Sequence, residues 1–478
     1  MSTKNKLKYV GISVLLSLLV TACNISYQAT KKEVIPTPVS YATTTDSNSI
    51  AKQKWNEFFK DPLLVQLIDT ALKNNQELNI MQREIAVATN EIRARKGAYL
   101  PFVGIGGLAG ADKIGRYTSQ GASDATNTII PGKKNPDLLP NFTVAAYANW
   151  EIDIWKKLRN ARQSAVHTYL ATVEGKNFLV TNLIAEIANS YYELMALDNQ
   201  LEILQKNIEI QQNALEIVKL QKIAARVTEL AVKKFEAEVL KNQSRLYYIK
   251  QQITVTENRI SFLVGRYPQK VARNSTQFKD LISDSLTVGI PAQLLRNRPD
   301  VMAAEQSLLA AKLDVKVAKA CFYPTLMITS NLGTQAINPA YLATLPASTL
   351  YSIAGGAFAP LINRNALKAN YASANAKQEQ AVFNYERKIL AGYVEVSNQL
   401  ATIENLKKSY EFKMKQVEAL TQSIEISTGL FKSARADYME VLMTQRDALE
   451  AKFELIETKK LQLNATVNMY KSLGGGWR

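Results

Sequence analysis

NFTVAAYANWEIDI, residues 141–154, is the stretch on which the fold turns. Phe142, Val144, Ala146, Ala148, Trp150, Ile152 and Ile154 fall on one side of an extended chain, and Thr143, Tyr147, Asn149, Glu151 and Asp153 on the other. A period of two marks a strand with one apolar and one polar face. Working outward, PFVGIGGLAG (101–110) is its partner, and YPTLMITSNLG (323–333) and LYSIAGGAFAPL (350–361) form a second pair. Each approaches the roughly ten residues that a tilted strand needs to cross a bilayer. The segments between partners, 111–140 and 333–349, are polar and rich in turn-forming residues, which predicts loops without helix. Long loops at one end of short strands suit the cell-exterior end of an outer-membrane barrel.

Helices flank each pair, and the chain states its plan twice. The helical stretch 61–98 ends just before Tyr99-Leu100-Pro101, and 299–322 ends just before Tyr323-Pro324. Lys96 and Lys319 stand five residues before these prolines, and Gly110 and Gly333 nine residues after them. NRISFLVG (258–265) is answered by NMYKSLGG (468–475). Each copy therefore reads helix, strand, loop, strand, long helix, turn, helix. The copies span 58–270 and 298–478, with 271–297 as a linker, and form one intertwined domain.

The long helices carry a coiled-coil seam at three- and four-residue spacing. In the first copy it is Leu194, Leu197, Leu201, Leu204 and Ile208, continuing at Leu215 and Val218. In the second it is Ile389, Tyr393, Val396, Leu400 and Ile403, then Tyr410, Met414 and Val417. Gln211 and Lys407 are polar intruders in the two seams, and each helix turns back near 222–229 or 429–437. Four strands cannot close a barrel, which needs at least about eight. Open edges in lipid are costly, so membrane strands here require a barrel shared between chains, of a number the sequence alone does not select.

At the N-terminus Lys4, Lys6 and Lys8 precede an apolar run from Val10 to Val20. It is short of the roughly 20 residues of a spanning helix and suits a signal peptide over 1–22. Leu19-Val20-Thr21-Ala22-Cys23 resembles the bacterial lipoprotein lipobox. That resemblance implies acylation of Cys23, a lipidated segment 23–57, and sorting by Asn24 to the outer membrane of a Gram-negative cell. Apart from this covalent lipid no cofactor is expected. Cys321 is the only other cysteine, so an exported chain has no internal disulfide.

The formal net charge is +16, yet the lysines are scattered among glutamates with no dense basic block, which argues against nucleic acid as a partner. His167 is the only histidine. A histidine-based triad or a multi-histidine metal site cannot be built, no catalytic residue stands out, and an enzyme is not expected.

Four segments carry a family resemblance. IPAQLLRNRPDVMAAEQSLLAAKLDVKVAKACFYPTLMITSNLG (290–333), WEIDIWKKLRNARQSA (150–165), LFKSARADYMEVLMTQRDALEA (430–451) and SLGGGW (472–477) resemble, in order, the outer-membrane efflux proteins. These are the TolC-like channels, and the chain is most similar to their lipidated OprM/CusC/NodT branch. The resemblance implies an α+β membrane protein: a homotrimer with one shared transmembrane β-barrel, four strands per chain, and a long periplasmic α-helical barrel. It further implies a periplasmic membrane-fusion adaptor and an inner-membrane RND-type transporter as partners, with passive conduction through this component.

Within that family the helix turns near the tip usually carry glycine. Here Ala225 and Ala434 stand in those places. Alanine disfavours the left-handed conformation, which predicts a less sharp turn. Ala225, Arg226, Val227, Thr228 and Glu229, with Ala434, Arg435, Ala436 and Tyr438, are the candidate adaptor-docking tips. By the same resemblance Asp437 and Glu440, three apart on one helix face, are candidates for a pore constriction; the alternative is a solvated helix surface.

Arg298, Pro299, Asp300, Glu305, Pro324 and Pro101 are family-motif positions read as structural. Proline suits a first helical turn, and an acid there complements the helix dipole. Two other readings compete with an efflux channel: a type I protein or peptide secretion channel, and a non-conducting helical scaffold lipoprotein. Alternating strands count against the scaffold.

Overall fold

The computed structural model describes residues 38, 41, 49–129, 132–281, 287–433 and 435–478. The signal segment, Cys23, Asn24 and Ala434 lie outside these described residues. In chain order the elements are α1 (Trp55–Phe58), α2 (Pro62–Asn74), α3 (Gln76–Tyr99), β1 (Phe102–Asp112), α4 (Ser119–Thr126) and β2 (Leu139–Ile152). Then come α5 (Lys157–Ile223), α6 (Glu229–Leu263), α7 (Leu294–Asn297), α8 (Pro299–Ala320), β3 (Thr325–Ala336), β4 (Thr349–Phe358), α9 (Asn365–Lys432) and α10 (Tyr438–Ser472). Among the described residues no helix is long and apolar enough to cross a membrane.

Two compact units cut across the sequence copies. Among the described residues one comprises 86–169 and 306–382, and the other 49–85, 170–305 and 383–478. The first holds a single four-stranded antiparallel sheet, in the order β1-β2-β3-β4. Its register is unbroken, with Ile105 opposite Ala146, Ala146 opposite Leu332 and Leu332 opposite Tyr351.

Strand limits follow local chemistry. β1 and β3 start just after Pro101 and Pro324, whose nitrogens cannot donate to a ladder. β2 stops at Ile152 because Asp153 leaves the ladder to cap α5. Its carboxylate accepts from Leu158 N at 3.1 Å and Arg159 N at 2.9 Å, and Arg159 Nε adds a bond at 3.2 Å. Asp153 is therefore a helix cap, not the polar-face strand residue that alternation predicts.

One expectation fails in the first outer loop, which contains a helix, α4. Thr118 Oγ1 caps it by accepting from Gly121 N at 3.1 Å, and Gly121 lies so close to Gly115 O that a Cβ would collide. A local cap overrides the turn-forming composition.

The strand-to-helix joints repeat. Lys156 and Asn363, one before each long helix, both hold positive φ, 60° and 54°. Aromatic side chains gather at this end of the sheet. Trp155 stacks on Tyr323 at 4.8 Å and donates to Pro324 O at 2.8 Å, and Trp150 donates to Tyr99 O at 3.2 Å.

In the second unit seam positions supply part of the core, beside a larger cluster that includes Leu64, Ile68, Ile187 and Phe278. Leu194, Leu204, Ile208, Leu215 and Val218 are buried, and so is Gln211. The second seam is corrected: Lys407 is exposed, and half-buried Leu406 takes its place. The Leu406 carbonyl accepts from Gln462 Nε2 of α10 at 3.1 Å. A charged head stays in water when an apolar neighbour one residue away can fill the seam.

Both returning helices stop on a left-handed glycine, Gly265 (φ 76°) and Gly474 (φ 85°). Arg266 N bonds to Ser261 O and Gly475 N to Tyr470 O, each at 3.0 Å, the pattern that satisfies orphan carbonyls at a helix end. The C-terminal glycines are thus a helix stop, and Trp477 Nε1 donates to Asn297 O at 3.0 Å beside it.

Candidate functional site

The sheet presents two chemically different faces. The register puts Val103, Ile105, Phe142, Val144, Trp150, Ile152, Leu326, Ile328, Leu332, Tyr351 and Ile353 on one face, with no charged residue among its strand positions. The other face carries Thr143, Tyr147, Asn149, Glu151, Thr329, Asn331, Gln335 and Ser352, interspersed with glycines and with Phe102, Leu108, Met327 and Phe358. Bonds among the polar side chains link strands: Ser352 Oγ donates to Asn331 Oδ1 at 2.8 Å and Gln335 Nε2 to Asn141 Oδ1 at 2.8 Å.

Among the described residues nothing covers the apolar face, where Ile105 and Ile353 are 82% and 80% exposed. β1 and β4 are the two edges, and because every neighbour is antiparallel they run opposite to each other. Alternation in β2 was legible in sequence. The polar residues of β3 and β4 were less so, because Gly, Ala and Ser blur the period.

At one end of the coiled coil two turns come together. In the first, Ala225 adopts φ 53°, and Arg226 N bonds to Gln221 O at 2.9 Å. The expected blunting of this turn does not occur: alanine takes the glycine conformation, because the helix-end bonds demand it. In the second turn Arg435 N bonds to Leu430 O at 2.9 Å, the same six-residue closure. Thr228 and Asp437 are the N-caps of α6 and α10, neither with a side-chain capping bond.

One apolar cluster joins the turns. Leu215, Val218, Val232, Phe235, Val239 and Leu442 are its core, and Val227 of the first turn packs against it with Tyr438 and Met439 of the second. Arg226 and Arg435 are exposed, and Ala436 is half-buried.

Charge is distributed unequally. Glu229 pairs with Lys222 across the first turn, and the Lys222 hydrogen bond holds its carboxyl below the usual carboxylate range. Asp437 and Glu440 are exposed and make no ion pair among the described residues. Their backbones bond to each other, Glu440 N to Asp437 O at 3.1 Å.

The motif residues at 298–300 form a buried clamp. Pro299 opens α8, and Arg298 reaches Asp300 through two bonds of 3.0 and 2.9 Å, Glu395 at 2.6 Å and Ser472 O at 2.9 Å. Burial lowers the pKa of the Arg298 guanidinium, but its bonds and charges with Asp300 and Glu395 outweigh that and raise it. Glu305 lies exposed further along α8, outside the clamp. Sequence reasoning missed Asn75, whose Nδ2 donates to Leu263 O at 2.9 Å. The signal that could have found it is that of a helix N-cap, an asparagine directly before a helical run, and its Oδ1 accepts from Leu78 N at 3.0 Å.

The family described as outer membrane efflux protein matches residues 67–266 and 290–475. The chain belongs to the outer membrane efflux protein family. The pyoverdine export outer membrane protein OpmQ of Pseudomonas putida is 28% identical over 463 residues, covering 97% of this chain and 96% of that protein. The cation efflux system protein CusC of Escherichia coli is 24% identical over 476 residues, 97% of each. A solved structure of a membrane protein from Pseudomonas aeruginosa superposes with a TM-score of 0.84 at 20% identity, covering 95% of this chain and all of that one. This efflux protein therefore has the TolC-like fold, and its place is the outer membrane.

Proposed function

We propose that three copies of this efflux protein form one outer-membrane channel, the exit component of a tripartite pump. About twelve strands would close a single barrel, a size known for such barrels. The observation that carries this reading is the two-faced sheet with unpaired, oppositely running edges. β4 of one copy can add to β1 of the next without breaking antiparallel order. The charge-free face then meets lipid and the polar face lines water, while every edge is satisfied.

The tips at 225–229 and 434–438 dock a periplasmic membrane-fusion adaptor, and through it an inner-membrane RND-type transporter. Energy is spent at that transporter, and conduction here is passive. Relatives named for pyoverdine export and for cation efflux each match nearly the whole chain, so the cargo is proposed as small molecules selected by the pump. Cys23 carries the lipid anchor, and fatty-acid labelling is lost in Cys23→Ser.

Purified protein in planar bilayers gives discrete conductance steps and migrates as a trimer that heat dissociates. A monomer without conductance overturns the reading. Asp437 and Glu440 narrow the pore as a ring of carboxylates attractive to cations. Asp437→Asn with Glu440→Gln lowers cation-over-anion permeability several-fold, and unchanged selectivity removes them from the gate.

A further inference from the structure

Gln211, Asn242 and Gln445 belong to three different helices, α5, α6 and α10, and are only 0%, 1% and 6% exposed. Each holds a place that coiled-coil spacing reserves for an apolar side chain. Gln211 stands three residues after Ile208 and four before Leu215. Gln445 stands three after Leu442 and four before Leu449, and Asn242 three after Val239 and four before Leu246.

On one side lies an apolar cluster of Leu204, Ile208, Ile249, Leu449 and Phe453. On the other lies the tip cluster containing Leu215, Val239 and Leu442. By position along their own helices the three amides fall between these two clusters, at one polar level of three helices.

The layer is half satisfied. Asn242 Nδ2 donates to Gln211 Oε1 at 2.8 Å, with a longer contact to Glu238 Oε1 at 3.4 Å. Gln211 Nε2, a donor, and Gln445 Oε1, an acceptor, are both buried without a hydrogen bond. The amides of α5 and α6 are thus joined, while the complementary group on α10 is unused. A buried polar group left unpaired destabilises the arrangement that holds it, and three leucines would not carry that penalty.

We propose that this layer is a register latch between α10 and the α5–α6 pair. In the arrangement described, Gln445 is unengaged; a small displacement of α10 brings its Oε1 to the hydrogen of Gln211 Nε2. The bond unmade here and made there favours the second register and offsets what Leu442 and Leu449 of α10 lose as they shift within their clusters, which brings the two registers close in energy. The proposal rests on the channel reading, because a passage that opens at the tip has to move these helices past one another.

The test combines Gln211→Leu, Asn242→Leu and Gln445→Leu in the full protein. Melting temperature is followed in detergent, and opening frequency in planar bilayers. The expected result is a higher melting temperature by several degrees and a tenfold or greater loss of openings. Gln445→Met, which keeps side-chain length but removes the acceptor, moves both readouts the same way by less, and decides the matter if the triple variant does not assemble. A more stable variant that opens as often as wild type overturns the latch, as does a variant less stable than wild type. Wild-type protein that never conducts fails the channel reading instead, which separates the two.

Discussion

At the start of the first long-helix repeat, Asn75 Nδ2 donates to Leu263 O at 2.9 Å; at the start of the second, Arg298 Nη1 donates to Ser472 O at 2.9 Å. Asn75 directly precedes α3 and Arg298 directly precedes α8, and the accepting carbonyls end α6 and α10. The residue before each, Asn74 or Asn297, presents a carbonyl so close to Gly265 or Gly474 that a Cβ there would collide.

One backbone geometry is thus met by two chemistries. The amide is neutral, and its oxygen also caps α3 by accepting from Leu78 N at 3.0 Å. The guanidinium brings a buried charge and so needs Asp300 and Glu395 around it, which ties α9 into the joint as well. The first copy meets its arginine elsewhere and from the linker, where Arg273 lies between Asp198 of α5 at 2.5 Å and Glu257 of α6 at 2.6 Å. Duplication conserves what the backbone requires and leaves free how side chains supply it.

Breaking the charged joint has the largest expected effect. Arg298→Ala strands the Asp300 carboxylate, itself 7% exposed, and lowers stability by about 3–5 kcal/mol, read by denaturant unfolding in detergent. Arg298→Lys recovers only part of this, because a lysine cannot make the two-point contact. At the neutral joint Asn75→Ala removes one hydrogen bond and one cap, a loss of about 1–2 kcal/mol. Equal losses at the two joints would show that the charge adds nothing to the geometry.

The smallest change sharpens the comparison at the tips. Ala225→Gly relieves the left-handed alanine and raises stability by roughly 0.5–1 kcal/mol in a thermal melt. A decrease would mean that chain entropy outweighs the strain at that turn.

Much of this was legible because it is periodic or local. Alternation in 141–154 revealed a strand with two faces, and the 3-4 spacing revealed the seams. Proline and glycine offsets revealed the duplication. The readings that changed each depended on a neighbour distant in space or on a local cap. Lys407 yields its seam place to Leu406 only because α10 packs there, and Asp153 leaves the strand because α5 needs a cap. Ala225 goes left-handed because the hydrogen bonds closing the helix leave no other conformation.

The sequence by itself determined most of the element types, the two copies and the two-faced chemistry of β2, since each rests on spacing and residue type along the chain, and its motifs carried the resemblance to the family. Only the tertiary structure decided that the two turns share one apolar cluster, that Arg298 is neutralised by residues 2 and 97 positions away, and that Asn242 of α6 donates to Gln211 of α5. Those relations depend on which helix faces which, and burial turns that choice into energy by making each polar group find a partner or go without.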